Sequence, residues 1–361
     1  MATKDLFDKP FDDGTIDKLQ IFEDYFKEWL PVFISRQEII WNEIQIFDFF
    51  AGIGKDVNGV LGSPMRILTT LNNNKEFILK SKVKIKVIIN EFDKEKFTLL
   101  RQNLNSILDN SIFSLELHNE DFIKVFNQYF NSMKSTANFL FLDQNGIKQI
   151  TEEVFGKLIS LKQTDFIFFI SSSYIKRFSE LEEFNKYLKI NKQDLVGKSY
   201  YHIHRIVLEY YRSKIPVNKK YFLAPFSIKK PSGIYGLIFG TNHTLGIEKF
   251  LHVCWKHDSL TGEANFDIDN EKINVNNPGL FSEYNIPTKK QIFDKNLKEK
   301  IINAQLRTDY DVYLFTLNEG FLLKEANIIL RELQKGGKIT FEFKLCSSNI
   351  HKIKYSEIKI Q

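Results

Sequence analysis

Between Ile44 and Ser171 five short apolar runs alternate with segments of helical periodicity. The runs are Ile44 to Phe49, "KIKVIIN", "FSLELHNED", "NFLFLDQNG" and "DFIFFIS". The segments between them are "SPMRILTTLNNN", "DKEKFTLLRQNLNSIL", "DFIKVFNQYFNSM" and "TEEVFGKLISL". Strands without a polar face must be covered on both sides, and one-sided helices can cover them. The alternation therefore predicts an α/β fold with a doubly wound, Rossmann-like parallel sheet. Such sheets take ligands at the carboxyl ends of their strands. Four runs end there in acids: Asp48, Glu91, Asp121 and Asp143.

The flanks extend this picture. Ile16 to Phe33 has apolar residues at helical spacing and predicts an amphipathic helix ending near Pro31. Ser63 is the expected N-cap of the helix after the first strand, with Pro64 in its first turn. "SELEEFNKYLKI" and "SYYHIHRIVLEYYRSKI" read as helices. Residues 220–243 read as a hairpin turning at Pro231-Ser232-Gly233, and "LGIEKFLHVCWKHD" as a closing helix. The expected organisation is a first domain over 1–257, carrying a helical and hairpin insertion at about 174–235, then a linker at 258–290. Residues 291–361 form the expected C-terminal α+β unit. There "NEGFLLKEANIILRELQKGGKITFEF" is similar to the last helix and wing of a winged-helix unit.

Composition limits the function classes. Lys plus Arg total 50 against 45 for Asp plus Glu, a balance that permits an acidic partner without requiring one. Two cysteines, Cys254 and Cys346, build neither a disulfide framework nor a cysteine-rich metal site. The histidines show no metal-ligand spacing, so no metal is expected. No stretch approaches the about 20 apolar residues that span a bilayer. With the charged N-terminus "MATKDLFDKPFDDG", this gives a cytoplasmic protein as the expectation.

The first strand runs into "DFFAGIGKD". Glycine lets the backbone turn sharply and approach a ligand. Dinucleotide folds use G-x-G-x-x-G here to seat a pyrophosphate. This loop has no third glycine, and Asp48 and Asp56 would repel a pyrophosphate. It suits a ligand with a cationic end, such as S-adenosylmethionine; a bare structural turn is the alternative. Glu91 is where ribose hydroxyls are gripped in such sheets, and Asp121 is placed to accept from an adenine amino group.

"DFFAGIG" resembles motif I of class I methyltransferases acting on nucleic acid. The wider pattern resembles the three-Cys-motif partner (TcmP) proteins: "FDFFAGIGKDVNGVLGSP", "NEFDKEKFTLL", "HNEDF", "FLFLDQNG", "YGLIFGTNH" and "KFLHVCW". The resemblance implies a methyltransferase-like fold, S-adenosyl-L-methionine as cofactor and a partner protein carrying three cysteines. It implies a cofactor site at Asp48, Phe50, Ala51, Gly52, Gly54, Glu91, Phe92, Asp121 and Phe122. Asp143-Gln144-Asn145-Gly146 stands where amino-methyltransferases resemble D-P-P-Y and where this family resembles D-P-F-G. There the acid orients a target amine toward the methyl group. Gln144 replaces a proline that fixes the backbone, and Asn145 replaces an aromatic that stacks on a flipped base. The cytosine-C5 enzymes also resemble "DFFAGIG", but neither cysteine follows a proline.

Arg205, Arg212, Lys229 and Lys230 stand among tyrosines between Tyr200 and Pro231. They are candidate contacts to DNA or RNA, against a solvated basic face with tyrosines in the core. The leading expectation is a TcmP-type methyltransferase acting on nucleic acid at an exocyclic amine. The alternatives are a non-catalytic binding subunit, suggested by the altered tetrad, and a nicotinamide-dependent oxidoreductase.

Overall fold

The computed structural model describes residues 9–36, 38, 40–144, 146–178, 188–190, 192–195, 199–270, 287–350 and 355–361. It divides into two compact units, Met1–Gly246 and Ile247–Gln361.

The first unit begins with α1 (Asp13–Trp29) and a short α2 (Pro31–Ile34). β1 (Glu43–Asp48), α3 (Ser63–Asn73), α4 (Lys75–Lys80), β2 (Lys84–Asn90), α5 (Lys94–Asn105) and β3 (Ser114–His118) follow. Then come α6 (Phe122–Met133), β4 (Ala137–Leu142), α7 (Glu152–Ser160), β5 (Gln163–Ile170), α8 (Ser172–Phe178), α9 (Lys192–Leu195) and α10 (Ile203–Ser213). The unit closes with β6 (Phe222–Lys230) and β7 (Gly233–Thr241), and α11 (Thr244–His257) leads out of it. Most of the expected helix at 179–190 lies outside the described residues.

One seven-stranded sheet has the order β3-β2-β1-β4-β5-β7-β6. β1 to β5 are mutually parallel, with Ile46 beside both Val87 and Phe139. This is a doubly wound Rossmann-like arrangement, whose strand order reverses beside β1. β7 lies antiparallel between β5 and β6. The hairpin is therefore no insertion: it completes the sheet, with Lys230 paired to Gly233 across the expected Pro231-Ser232 turn.

Both faces are apolar because alternate strand residues point each way. One face packs Phe47, Leu140, Phe166 and Phe168 against Phe126 of α6, Phe155 of α7 and Tyr211 of α10. The other packs Phe139, Phe141 and Phe239 against Phe22, Tyr25 and Phe26 of α1. Each phenylalanine buried in this way contributes about 1.5–3 kcal/mol. Asp12 fixes the start of α1 by accepting the Thr15 N–H at 2.7 Å. Buried Asp165 then anchors the helix to the sheet, accepting from the Tyr25 hydroxyl at 2.5 Å and the Thr241 hydroxyl at 2.5 Å.

The second unit divides from the first ahead of residue 257, where the sequence places the end of its first domain. The described part of the expected linker is ordered structure. Asp258 accepts backbone N–H groups from Leu260 and Glu263, and Ala264 and Ile268 are buried. Residues 271–286 lie outside the described residues. Helices Lys289–Ile302, Asp309–Asn318 and Leu323–Lys335 follow, so the apolar "VYLFTL" is helical. Phe293 stacks on Phe321 at 4.1 Å, and the Trp255 indole donates to the Gly320 carbonyl at 2.9 Å. Of "KITFEF" only Ile339–Thr340 forms a strand, paired with Lys359–Ile360.

Candidate functional site

After Asp48 the chain turns through Gly52 (φ 61°) and Gly54 (φ 88°), conformations that glycine adopts without steric cost. The Ala51 N–H donates to the Asn90 carbonyl at 3.1 Å, and the Gly52 N–H to the Glu91 carboxylate at 2.7 Å. The loop returns where Gly62 donates to the Gly54 carbonyl at 2.8 Å. A side chain on Gly62 would meet that oxygen at 3.1 Å, so the close approach favours glycine. Gly62, not Ser63, is the N-cap of α3; Ser63 is the first helical residue and lies beside Asp48. Asp56 is a structural clamp, accepting from the N–H groups of Phe11, Asn58 and Val60 at 2.8–2.9 Å.

Asp48 is fully buried. Burial pushes its carboxyl up to about 7 against the lowering influence of Ser63 and the Phe50 N–H, while nearby Asp143 and Glu91 raise it further. Its Oδ2 makes no aligned hydrogen bond.

Two cavities open at the carboxyl ends of the strands. The first, of about 330 Å³, is bordered by Gly52, Asn90, Glu91, Phe92, Asp121 and Phe122, with Phe50 and Asp143 at its edge. Glu91 gives its second oxygen to the Asp93 N–H at 2.8 Å. Asp121 caps α6 by accepting the Ile123 N–H at 2.8 Å. Phe92 is 72% exposed, an apolar ring at the rim. The second cavity, of about 130 Å³, is bordered by Ala51, Ser63, Lys18, Gln144, Phe169, Lys230 and Tyr235. Phe50 and Asp143 border both cavities, so the Asp143 carboxylate stands where they adjoin.

Asp143 forms an ion pair with Lys18 of α1. Gln144 is buried, and its Oε1 accepts the N–H groups of Gln149 at 2.8 Å and Ile150 at 3.3 Å. These bonds restrain the segment after β4 in place of the ring that a proline would supply. Its Nε2 has no partner. Gly146 has φ 95° and borders the second cavity. Asn145 lies outside the described residues.

The predicted cofactor residues thus divide. Phe50, Gly52, Glu91, Phe92, Asp121 and Phe122 meet at the first cavity and Ala51 at the second, whereas Asp48 and Gly54 border neither and brace the loop from behind. Of the four basic candidates, Lys230 alone borders either of these two cavities. Arg212 is engaged by Glu209 at 2.6 Å and the Leu223 carbonyl at 3.1 Å. Lys229 sits 6.0 Å from the Tyr201 ring, and Arg205 borders neither cavity. Tyr210 and Tyr211 are core residues whose hydroxyls donate to Glu152 and to the Ile150 carbonyl. Within the basic cluster, Tyr210 and Tyr211 thus belong to the core.

Lys18, Phe169 and Tyr235 are absent from the sequence-based site. Lys18 had a signal, being a lone lysine on the apolar stripe of α1 with Thr15, Phe22 and Tyr25. Phe169 and Tyr235 had none, since both read as ordinary strand residues. Among the described residues no group of three or more His, Cys, Asp or Glu is placed to hold a metal, and no helix is long and apolar enough to cross a membrane.

No protein-family model and no curated protein matches the chain. Among solved structures it is similar to Trm1 from Pyrococcus horikoshii in complex with S-adenosyl-L-methionine, with a TM-score of 0.34 and 12% identity over 68% of this chain and 62% of that one. It is similar to the small RNA methyltransferase HEN1, with a TM-score of 0.37 and 10% identity over 67% of this chain and 28% of that one. It is also similar to an O-methyltransferase from Bacillus cereus in complex with SAH, with a TM-score of 0.34 and 13% identity over 64% of this chain and 91% of that one. The chain thus spans less than two thirds of the Trm1 and HEN1 chains.

Proposed function

We propose that this protein is an S-adenosylmethionine-dependent methyltransferase of the TcmP type, with an exocyclic amine of nucleic acid as acceptor. The observation that carries the reading is the position of Asp143 between two cavities, one bordered by strand-end acids and the other by lysines and aromatic rings.

The first cavity fits the cofactor. Its acids accept hydrogen bonds from hydroxyl and amino groups and repel phosphate. Glu91 is the proposed ribose ligand and Asp121 the adenine ligand, with Phe92 and Phe122 along the base. Gly52 and Ala51 line the path of the methionine end, with the Asp48 carboxyl behind them. The Gly52 N–H is already given to Glu91, which disfavours a dinucleotide phosphate and with it the nicotinamide reading. When bound, the cofactor supplies an electrophilic methyl group on a sulfonium. Asp143 then accepts from the target amine and aims its lone pair, which is catalysis by positioning. The Phe169 and Tyr235 rings, at the second cavity, suit a planar base.

A second reading rests on the Lys18–Asp143 ion pair. With its tetrad acid occupied, the chain is a binding subunit that docks a nucleic acid or the three-cysteine partner. Calorimetry with S-adenosylmethionine tests what the readings share, and absence of binding at high micromolar ligand overturns the methyltransferase. Labelled methyl transfer to cellular DNA and RNA then separates enzyme from binding subunit.

A further inference from the structure

We propose that Lys230 is the proton acceptor of the methyl transfer, collecting the proton that an amine loses once it carries the methyl group. The inference rests on the reading of the second cavity as the acceptor pocket.

An amine that takes a methyl group from a sulfonium would form a C–N bond as the S–C bond breaks and leaves its electron pair on the thioether sulfur; the nitrogen is then an ammonium, and the transfer is complete only when one N–H proton leaves. The electrons of that N–H bond stay on nitrogen. The proton needs a lone pair within reach of the nitrogen. Asp143 is the obvious base, but its carboxylate already holds the Lys18 ammonium. Lys230 borders the same cavity and makes no ion pair among the described residues. Its Nζ donates to the Thr15 hydroxyl at 2.8 Å.

Burial and a second cation favour the neutral amine, against aromatic faces that attract an ammonium. Phe169 and Tyr235 stack at 5.3 Å, and Lys230 Nζ lies 5.2 Å and 5.1 Å from their centroids. Lys18 Nζ lies 4.8 Å from the same Phe169 centroid, so two ammonium groups share one ring. The charged groups that act on Lys230 are Lys18 and Asp12 from α1 and Asp143 after β4; Tyr235 of β7 is the titratable neighbour below it. Partial burial and then the Lys18 charge lower Lys230 to about 8, against the opposing pull of Asp143 and Asp12. Near pH 7.4 roughly one fifth of such a group is neutral, a fraction able to take up a proton and return it to solvent.

The test has two arms on the full chain. In the first, NMR of ¹³C-labelled lysine follows the Cε resonance missing from the Lys230→Arg spectrum. A midpoint near 8 is expected; a resonance that stays protonated to about pH 10, like an ordinary lysine, overturns the inference. In the second, Lys230→Met and Lys230→Arg are expected to lose at least about 100-fold in methyl transfer and to keep cofactor affinity within about threefold. Either variant with wild-type transfer overturns it. Absence of cofactor binding by the wild type overturns the methyltransferase reading itself. Normal cofactor binding with an ordinary Lys230 titration overturns this inference alone.

Discussion

Lys18 of the N-terminal helix and Asp143 after the fourth strand, 125 residues apart in sequence, form an ion pair between the two cavities. The Lys18 side chain is 8% exposed and that of Asp143 is 22% exposed. The pair ties the entry helix to the carboxylate on which the proposed chemistry depends. Lys18→Met is expected to destabilise the protein by about 2 kcal/mol, less than for a fully buried pair because Asp143 keeps contact with solvent. Urea denaturation measures this, and an unchanged midpoint contradicts it.

Asp143→Ala separates chemistry from binding. Transfer is expected to fall at least about 100-fold, with cofactor affinity held within about threefold, since only acceptor orientation is lost. If calorimetry finds both lost, Asp143 belongs to the cofactor site or supports the fold.

Glu91 holds the glycine loop through the Gly52 N–H and faces the first cavity. Glu91→Ala removes a charged acceptor worth about 2 kcal/mol, so cofactor affinity is expected to weaken about 30-fold. Glu91→Gln keeps an oxygen for Gly52 and is expected to lose less. Equal, wild-type affinities would remove Glu91 from the ribose role.

Asp165 and Asp48 set a pH dependence of stability. Burial raises Asp165 from 3.8 to about 6 and Asp48 from 3.8 to about 7. An acid raised on folding binds more protons in the native state, so its contribution is fully present below the unfolded value and declines as pH rises through the folded one. Wild-type stability is expected to fall between about pH 4 and pH 7 by an amount on the order of 3 kcal/mol from Asp165 alone. Asp165→Asn and Asp48→Asn should each flatten part of that slope in urea denaturation at several pH values; an unaltered slope in both refutes the assignment.

Gly240 sits opposite Phe166 in the β5–β7 pairing, and a Cβ there would lie 2.2 Å from the ring. Gly240→Ala is expected to cost about 1–3 kcal/mol or more through overpacking. Thermal unfolding reads it directly, and a wild-type melting temperature would show that Phe166 can move aside.

The core of the first unit was legible in the sequence for a local reason. Strands such as "KIKVIIN" and helices such as "DFIKVFNQYFNSM" announce themselves by period, and their alternation implies parallel pairing. The acids at strand ends were legible too, because the fold class places strand ends together. The hairpin was legible, but not its place in the sheet: the later strand, β7, enters first, beside β5. The Gly62 cap of α3 and the ordered turn at 258–264 were not legible, because loop and cap geometry depends on neighbours such as the Gly54 carbonyl and the Asp258 carboxylate.

The sequence by itself determined a sheet covered on both faces, a glycine turn after its first strand, and Glu91 and Asp121 on one rim. Only the tertiary structure decided that Lys18, Phe169, Lys230 and Tyr235 gather around Asp143. Periodicity records which face of an element is buried; it does not record which distant element covers that face. Strand order and the docking of α1 bring those five residues together, and both are set by packing across the whole sheet.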